Sequence, residues 1–187
     1  FTGALPRRVS IVLTPIRQGY DLRIESKATA SGEAIEHLRA QVSIAGTMDT
    51  KVPARLLKKQ VLIRSDRSGH APQEQLIAFG PRWRNVGELR INADMAEGDF
   101  ALSPEFAGDV KTHLMHPALM DMAATVGLIL LADGGADGMV YVPMSAERIR
   151  VLGDVPAKVR SRAVRVAEEP RRYVAFDVVI ETLGGKP

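Results

Sequence analysis

The chain has no cysteine, so a disulfide framework and a thiolate metal site are both excluded. Aromatic residues are sparse at 5%, with a single tryptophan, Trp83. The net charge of +3 is modest for 187 residues, and the arginines are spread along the chain. A nucleic-acid surface is therefore not indicated. Histidine occurs four times, at 37, 70, 113 and 116. His113 and His116, with Asp121, are the one grouping that resembles a ligand set. Those two histidines straddle an expected helix start three residues apart, and no metal site is expected. No charged-then-apolar leader opens the chain, so the expectation is a cytoplasmic protein.

What is present is enough for a core: about 45% of the residues are hydrophobic, the balance of a soluble protein. The most continuous apolar stretch is His116 to Ala132, HPALMDMAATVGLILLA. Proline is suited to the first helical position, where its missing N–H goes unused. The pattern predicts a helix over Pro117 to Ala132, polar only at Asp121 and Thr125. A helix apolar all round is expected to be wrapped by other elements. At about 25 Å, with an acid inside it, it is not read as a membrane span. Asp121 has no cation at the neighbouring helical positions. Desolvation penalises the charged form of a carboxyl set among apolar side chains, which suits it to giving or taking a proton. A carboxylate placed in the first turns to complement the helix dipole is the plainer reading of the same spacing.

The rest of the chain reads mainly as strands. Val9 to Leu13, Tyr20 to Ser26 and Glu36 to Ala45 alternate, and they predict an antiparallel meander with no helix of its own to cover it. Residues 47–72 are basic, polar and punctuated by Pro53, Gly69 and Pro72, and read as a linker. Residues 73–187 read as the better-formed unit. Strands are expected at Val86 to Ala93, Asp99 to Leu102, Met139 to Val151, Ala157 to Val166 and Tyr173 to Thr182. Arg160, Arg162 and Arg165 are expected to give the fourth of these a largely solvated face. Asp133-Gly134-Gly135 is the expected helix stop. The fold class is α+β, five antiparallel strands curved around one buried helix, which is the plan of a hotdog fold.

Three motifs then stand in order. His116-Pro117-Ala118-Leu119-Met120-Asp121 resembles the HPALLD motif of the dehydratase domains of type I polyketide synthases. Phe79-Gly80-Pro81-Arg82-Trp83 resembles the YGPxF motif that precedes it. Val142-Pro143-Met144-Ser145, followed by Ile149-Arg150, resembles the family's LPFSW…VR segment. The likeness covers Gln75 to Thr182, and residues 1–46 are similar to the last strands of the family's first hotdog.

The resemblance implies a double hotdog: 1–46 as part of the first, 47–72 as linker and 73–187 as the second. It implies removal of water from a 3-hydroxyacyl chain held on the phosphopantetheine of an acyl carrier protein, with no cofactor and no metal. Asp121 is then the acid and Thr125 its orienting neighbour. Pro117, Leu119, Trp83, Val142 and Pro143 would line an apolar channel ending near Asp121. Arg82, Arg84, Arg148 and Arg150 would form a basic rim that steers an acidic carrier protein. The family also implies a homodimer within a larger synthase.

The chain departs from the family in three places. The HxxxGxxxxP motif that supplies the family's catalytic histidine does not occur in these residues. His37 stands where the family often has a non-catalytic histidine. The glutamine or histidine usual four residues after the aspartate is Thr125, and the tyrosine of YGPxF is Phe79. A dehydratase-like scaffold that no longer dehydrates, a double-bond isomerase with one acid-base residue, and a product-template or other thioester-binding hotdog are the alternative readings.

Overall fold

The computed structural model describes residues 8–27, 32–43, 64–66, 74, 77–131, 141–169 and 172–184. The chain divides into two compact units, Phe1–Asp49 and Thr50–Pro187.

In the first unit, β1 (Arg8–Ile16), β2 (Gly19–Lys27) and β3 (Ala34–Val42) form an antiparallel sheet in the order β1-β2-β3. Each strand begins one or two residues before the expected one; β1 and β2 also run past their expected ends, whereas β3 stops at Val42 and its expected end, Ala45, lies outside the described residues. The β1–β2 hairpin turns at Gly19, whose φ of 136° is open to glycine. A Cβ there would also lie against the Val42 carbonyl oxygen. Between Ile24 and Glu25 the register slips, so that His37 is the extra residue of a bulge on β3.

The second unit holds a five-stranded antiparallel sheet in the order β4-β5-β6-β7-β8: Arg64–Asp66, Val86–Ile91, Met95–Ala101, Lys158–Glu169 and Tyr173–Thr182. Five strands were expected, but not these five. Residues 141–151 form no strand and are exposed almost throughout, with Met144 at 87%. Pro143 has no N–H to give a ladder, and the apolar Val142, Met144 and Ile149 bury against nothing. The fifth strand is β4 instead, three residues inside the stretch read as linker, paired with Leu89–Ile91. Met139 and Val140 lie outside the described residues, as do Ala132, the expected helix end, and Asp133 to Gly135 of the expected helix stop.

The β5–β6 turn also moves the expected boundaries. Asn92 Oδ1 accepts the backbone N–H groups of Asp94 and Met95, closing a tight Asx turn. β6 therefore begins at Met95 rather than Asp99.

Alternation sorts the sheet into two faces. Ala96 and Phe100 on β6 and Val159 and Ala163 on β7 are buried against the helical segment. Ser161 shares that face and is fully buried. The opposite face carries Arg90, Glu97, Asp99, Arg160 and Arg162. Register sets Glu97 against Arg162 and Asp99 against Arg160. Arg162 Nη2 lies 2.8 Å from Glu97 and Arg160 Nε 2.7 Å from Asp99. Arg160 and Arg162 are thus partly buried and ion-paired across strands, not simply solvated, while Arg165 pairs with Glu168 on its own strand at 2.7 Å.

Among the described residues there is one α-helix, α1 (Pro117–Ala124), eight residues long. A tighter 3-10 segment, Val126–Leu131, continues it. The expected single helix breaks at Thr125. Its Oγ1 donates to the Asp121 carbonyl at 2.7 Å, and Leu128 N–H bonds back to Thr125 O with the shorter three-residue step. Leu119, Met122, Ala123, Val126 and Ile129 enter the core, each burial being worth about 1.5–3 kcal/mol for a large side chain. Pro117 and Ala124 stay exposed, so the helix does have an open side. Ala123 on the helix and Ala96, Gly98, Ser161 and Ala163 on the sheet keep the contact surface shallow. A Cβ on Gly98 would meet the side chains of Phe100 and Leu89. No helix among the described residues is long and apolar enough to cross a membrane.

Candidate functional site

The site is built where the start of α1 meets the turn 80–85. His116 caps the helix: its backbone is extended, and its Nδ1 accepts Leu119 N–H at 3.4 Å. The imidazole thus takes the role of a serine or aspartate cap. An accepting Nδ1 leaves the ring proton on Nε2, which points at Asp109 Oδ2, 3.4 Å away. Asp109 is in turn 2.8 Å from Arg82 Nε. The Arg82 guanidinium beside it holds the Asp109 carboxyl below the usual carboxylate range, with His116 adding to the effect. Arg82 also lies 4.2 Å over the Phe106 ring.

The turn itself is a short 3-10 element, Pro81–Trp83, with proline at its first position. Trp83 N–H returns to Gly80 O at 3.0 Å. Asn85, buried, donates through Nδ2 to the carbonyls of Arg82 at 3.0 Å and Ala118 at 3.1 Å. That side chain stitches the turn to the first turn of α1.

One helical turn beyond the cap, Asp121 is half-buried. Its Oδ2 accepts the Trp83 indole N–H at 2.8 Å. Oδ1 accepts no hydrogen bond among the described residues. A carboxyl with one oxygen tied to a fixed donor and the other open is able to pass a proton in a defined direction.

The residues singled out in the sequence divide. The structure brings Trp83, Asp121 and Thr125 together. Thr125, however, turns its hydroxyl to the Asp121 backbone carbonyl, so it does not orient the carboxylate. Leu119 is 0% exposed and belongs to the core, while Pro117 is exposed at the first helical position. Val142 is 58% exposed and Pro143 is also exposed. Arg84, Arg148 and Arg150 are exposed, whereas Arg82 is held by Asp109 and Phe106. Among the described residues no cluster of three or more acidic or histidine side chains is placed to hold a metal ion. In the first unit, His37 Nε2 is 2.7 Å from the buried Ser26 hydroxyl.

Asn85, Asp109 and the cap made by His116 were not singled out. Asn85 lies six positions before Ile91, at the entry to a strand, where an asparagine reads as turn punctuation. Its true partner, Ala118 O, is 33 residues away, and no local pattern announces it.

Residues 68–187, well over half of the chain, match the family described as polyketide synthase dehydratase N-terminal domain. No curated protein matches. Among solved structures, a trans-AT polyketide synthase dehydratase domain from Brevibacillus brevis superposes with a TM-score of 0.79 at 17% identity, over 98% of this chain and 67% of that one. The dehydratase domain of RzxB from Pseudomonas fluorescens gives 0.62 at 18% identity, over 95% and 62%. The dehydratase domain from the CurK module of curacin polyketide synthase gives 0.69 at 17% identity, also over 95% and 62%. At such identities the likeness establishes the fold, an α+β hotdog architecture. This chain spans less than two thirds of the length of the latter two.

Proposed function

From a chain that belongs to the polyketide synthase dehydratase family, we propose a working half-site: Asp121 is the acid that protonates the departing 3-hydroxyl of an acyl chain. The observation that carries this is the Asp121 carboxyl itself, held at Oδ2 by the Trp83 indole and open at Oδ1, inside the stretch that matches the family.

The reaction is elimination. A base takes the proton next to the thioester carbonyl, the C–O bond to the 3-hydroxyl breaks, and Asp121 supplies the proton that makes the leaving group water. The products are the enoyl thioester and water, so atoms balance without a cofactor. None of the four histidines here stands in the HxxxGxxxxP setting, so the base is proposed to come from outside these residues. The matching family's description speaks of an N-terminal domain. We assign 73–187 to the second hotdog because HPALMD, at 116–121, has the pattern of the second half's aspartate motif. Residues 1–46 are assigned to the first hotdog, and the connection to the part of 47–72 that precedes β4, since Arg64–Asp66 already pairs within the second sheet.

The substrate is carried by an acyl carrier protein, and the domain works beside others in a dimeric synthase. Arg84, Arg148 and Arg150, exposed and in no ion pair among the described residues, are suited to meet an acidic carrier. Arg82 is less suited, since Asp109 already holds it.

The test measures water loss from a 3-hydroxyacyl-carrier substrate by the full-length protein and its Asp121→Asn variant. Asparagine keeps the shape but supplies no proton, and the rate is expected to fall at least about a hundredfold. A variant that dehydrates at the wild-type rate removes Asp121 from the mechanism. A wild type inactive on every such substrate favours the scaffold or isomerase reading.

A further inference from the structure

We infer that Trp83 is the positioning residue of the Asp121 carboxyl, and that its indole N–H decides which carboxyl oxygen carries the reacting proton. The inference rests on the reading of Asp121 as the acid and adds to it the group that makes the acid directional.

An indole Nε1–H is a donor only. At 2.8 Å from Oδ2, it requires Oδ2 to act as an acceptor whether Asp121 is ionised or neutral. A neutral carboxyl accepts better through its carbonyl than through its hydroxyl oxygen, so a neutral Asp121 favours its proton on Oδ1, the oxygen with no partner among the described residues. Without the indole, the two oxygens would share the proton and the carboxyl would be free to turn.

The obvious competitor for this role is Thr125, one turn along the helix from Asp121. Its hydroxyl is occupied with the backbone carbonyls of Asp121, at 2.7 Å, and Met122, at 3.4 Å. It has no bond to the carboxylate.

Trp83 is itself fixed from several sides, as a positioning group has to be. Proline at 81 presets the turn, and Trp83 N–H closes it on Gly80 O. The Trp83 carbonyl accepts Asn85 N–H at 2.9 Å. Asn85 then ties the turn to Ala118 on α1, three residues before Asp121. The ring packs against the core cluster that includes Leu119 and Met122. The donor and the acceptor thus belong to one braced unit, the turn 80–85 against the first two turns of α1.

The test exploits the chain's single tryptophan, which gives a single indole N–H resonance. In the nitrogen-proton spectrum of the protein, Asp121→Ala is expected to move that resonance upfield and speed its exchange with solvent. A resonance unmoved by Asp121→Ala overturns the inference, whatever the activity does. The second arm replaces Trp83 by 3-benzothienylalanine, which keeps the ring's shape and puts sulfur in place of the N–H. Dehydration by the full-length protein is then expected to lose about tenfold in kcat, with KM within about twofold. Trp83→Phe is expected to show the same split with some added loss of stability. A benzothienyl protein with wild-type kcat overturns the positioning role. A wild-type rate in Asp121→Asn instead overturns the underlying reading of the acid, so the two failures are told apart.

Discussion

The Ser161 hydroxyl donates to the Ala123 carbonyl at 2.7 Å, with both residues fully buried. This one bond ties the interior strand β7 to the end of α1. Ala123 lies in the last turn of the helix, where carbonyls run out of intrahelical donors. The register of the sheet and the depth of the helix carrying Asp121 are thereby set together.

Ser161→Ala is expected to destabilise the protein by about 1–3 kcal/mol, because it leaves a buried acceptor without its donor. Urea denaturation of the two proteins reads the difference from the shift in midpoint at unchanged slope. A shift under about 0.5 kcal/mol would mean that the carbonyl finds another donor and that the bond does not set the helix depth.

Gly127 sits where the chain tightens into the 3-10 segment after α1, and a Cβ there would stand 2.7 Å from the Phe176 ring. Gly127→Ala is expected to cost about 1–3 kcal/mol through overpacking. Combining it with Phe176→Leu should recover part of that loss in a double-mutant cycle. Additive losses would show that the two residues do not press on one another.

Much of this fold was legible where one face of an element is buried. The run of β-branched and aromatic residues in Tyr173–Thr182 gave β8 with its limits intact, and the α+β class and the helix start at Pro117 also followed from pattern. Three things were not legible, two because their cause lies far along the chain and one because it turns on a side-chain orientation. β4 is only three residues long and exists because β5 offers it an edge. The acidic residues of MAEGDFA disguised β6, since Glu97 and Asp99 belong to an ion-paired face made with Arg90, Arg160 and Arg162. The helix break at Thr125 depends on where one hydroxyl turns. The site was legible in Asp121 and Trp83 as residues, but not in their hydrogen bond, which joins positions 38 apart.

Thr125→Val removes the hydroxyl that bonds the Asp121 carbonyl and keeps the side chain's shape. Because the carboxylate loses nothing, kcat for dehydration is expected to stay within about threefold of wild type, with stability changed by no more than about 1 kcal/mol. A tenfold or larger drop in kcat at unchanged stability would return Thr125 to the orienting role that its position suggests.

Asp99 links the stability of the sheet to pH. Burial pushes its carboxyl up, but hydrogen bonds and charge from Arg160 and Arg90 outweigh that and hold it below the usual carboxylate range. A carboxylate whose folded value is depressed contributes stability that is fully present above its unfolded value, about 3.9, and is lost as pH falls through the folded value. Asp99→Asn removes the charge and leaves Arg90 and Arg160 facing one fewer anion, so the variant should be less stable at neutral pH by about 1–2 kcal/mol. The gap should hold down to about pH 4 and narrow progressively below it, as the wild-type carboxylate takes up its proton. Urea midpoints of both proteins from about pH 7 to about pH 2.5 give the two curves. Curves that stay parallel across the acid range would mean that Asp99 gains no charge-dependent stabilisation from its two arginines.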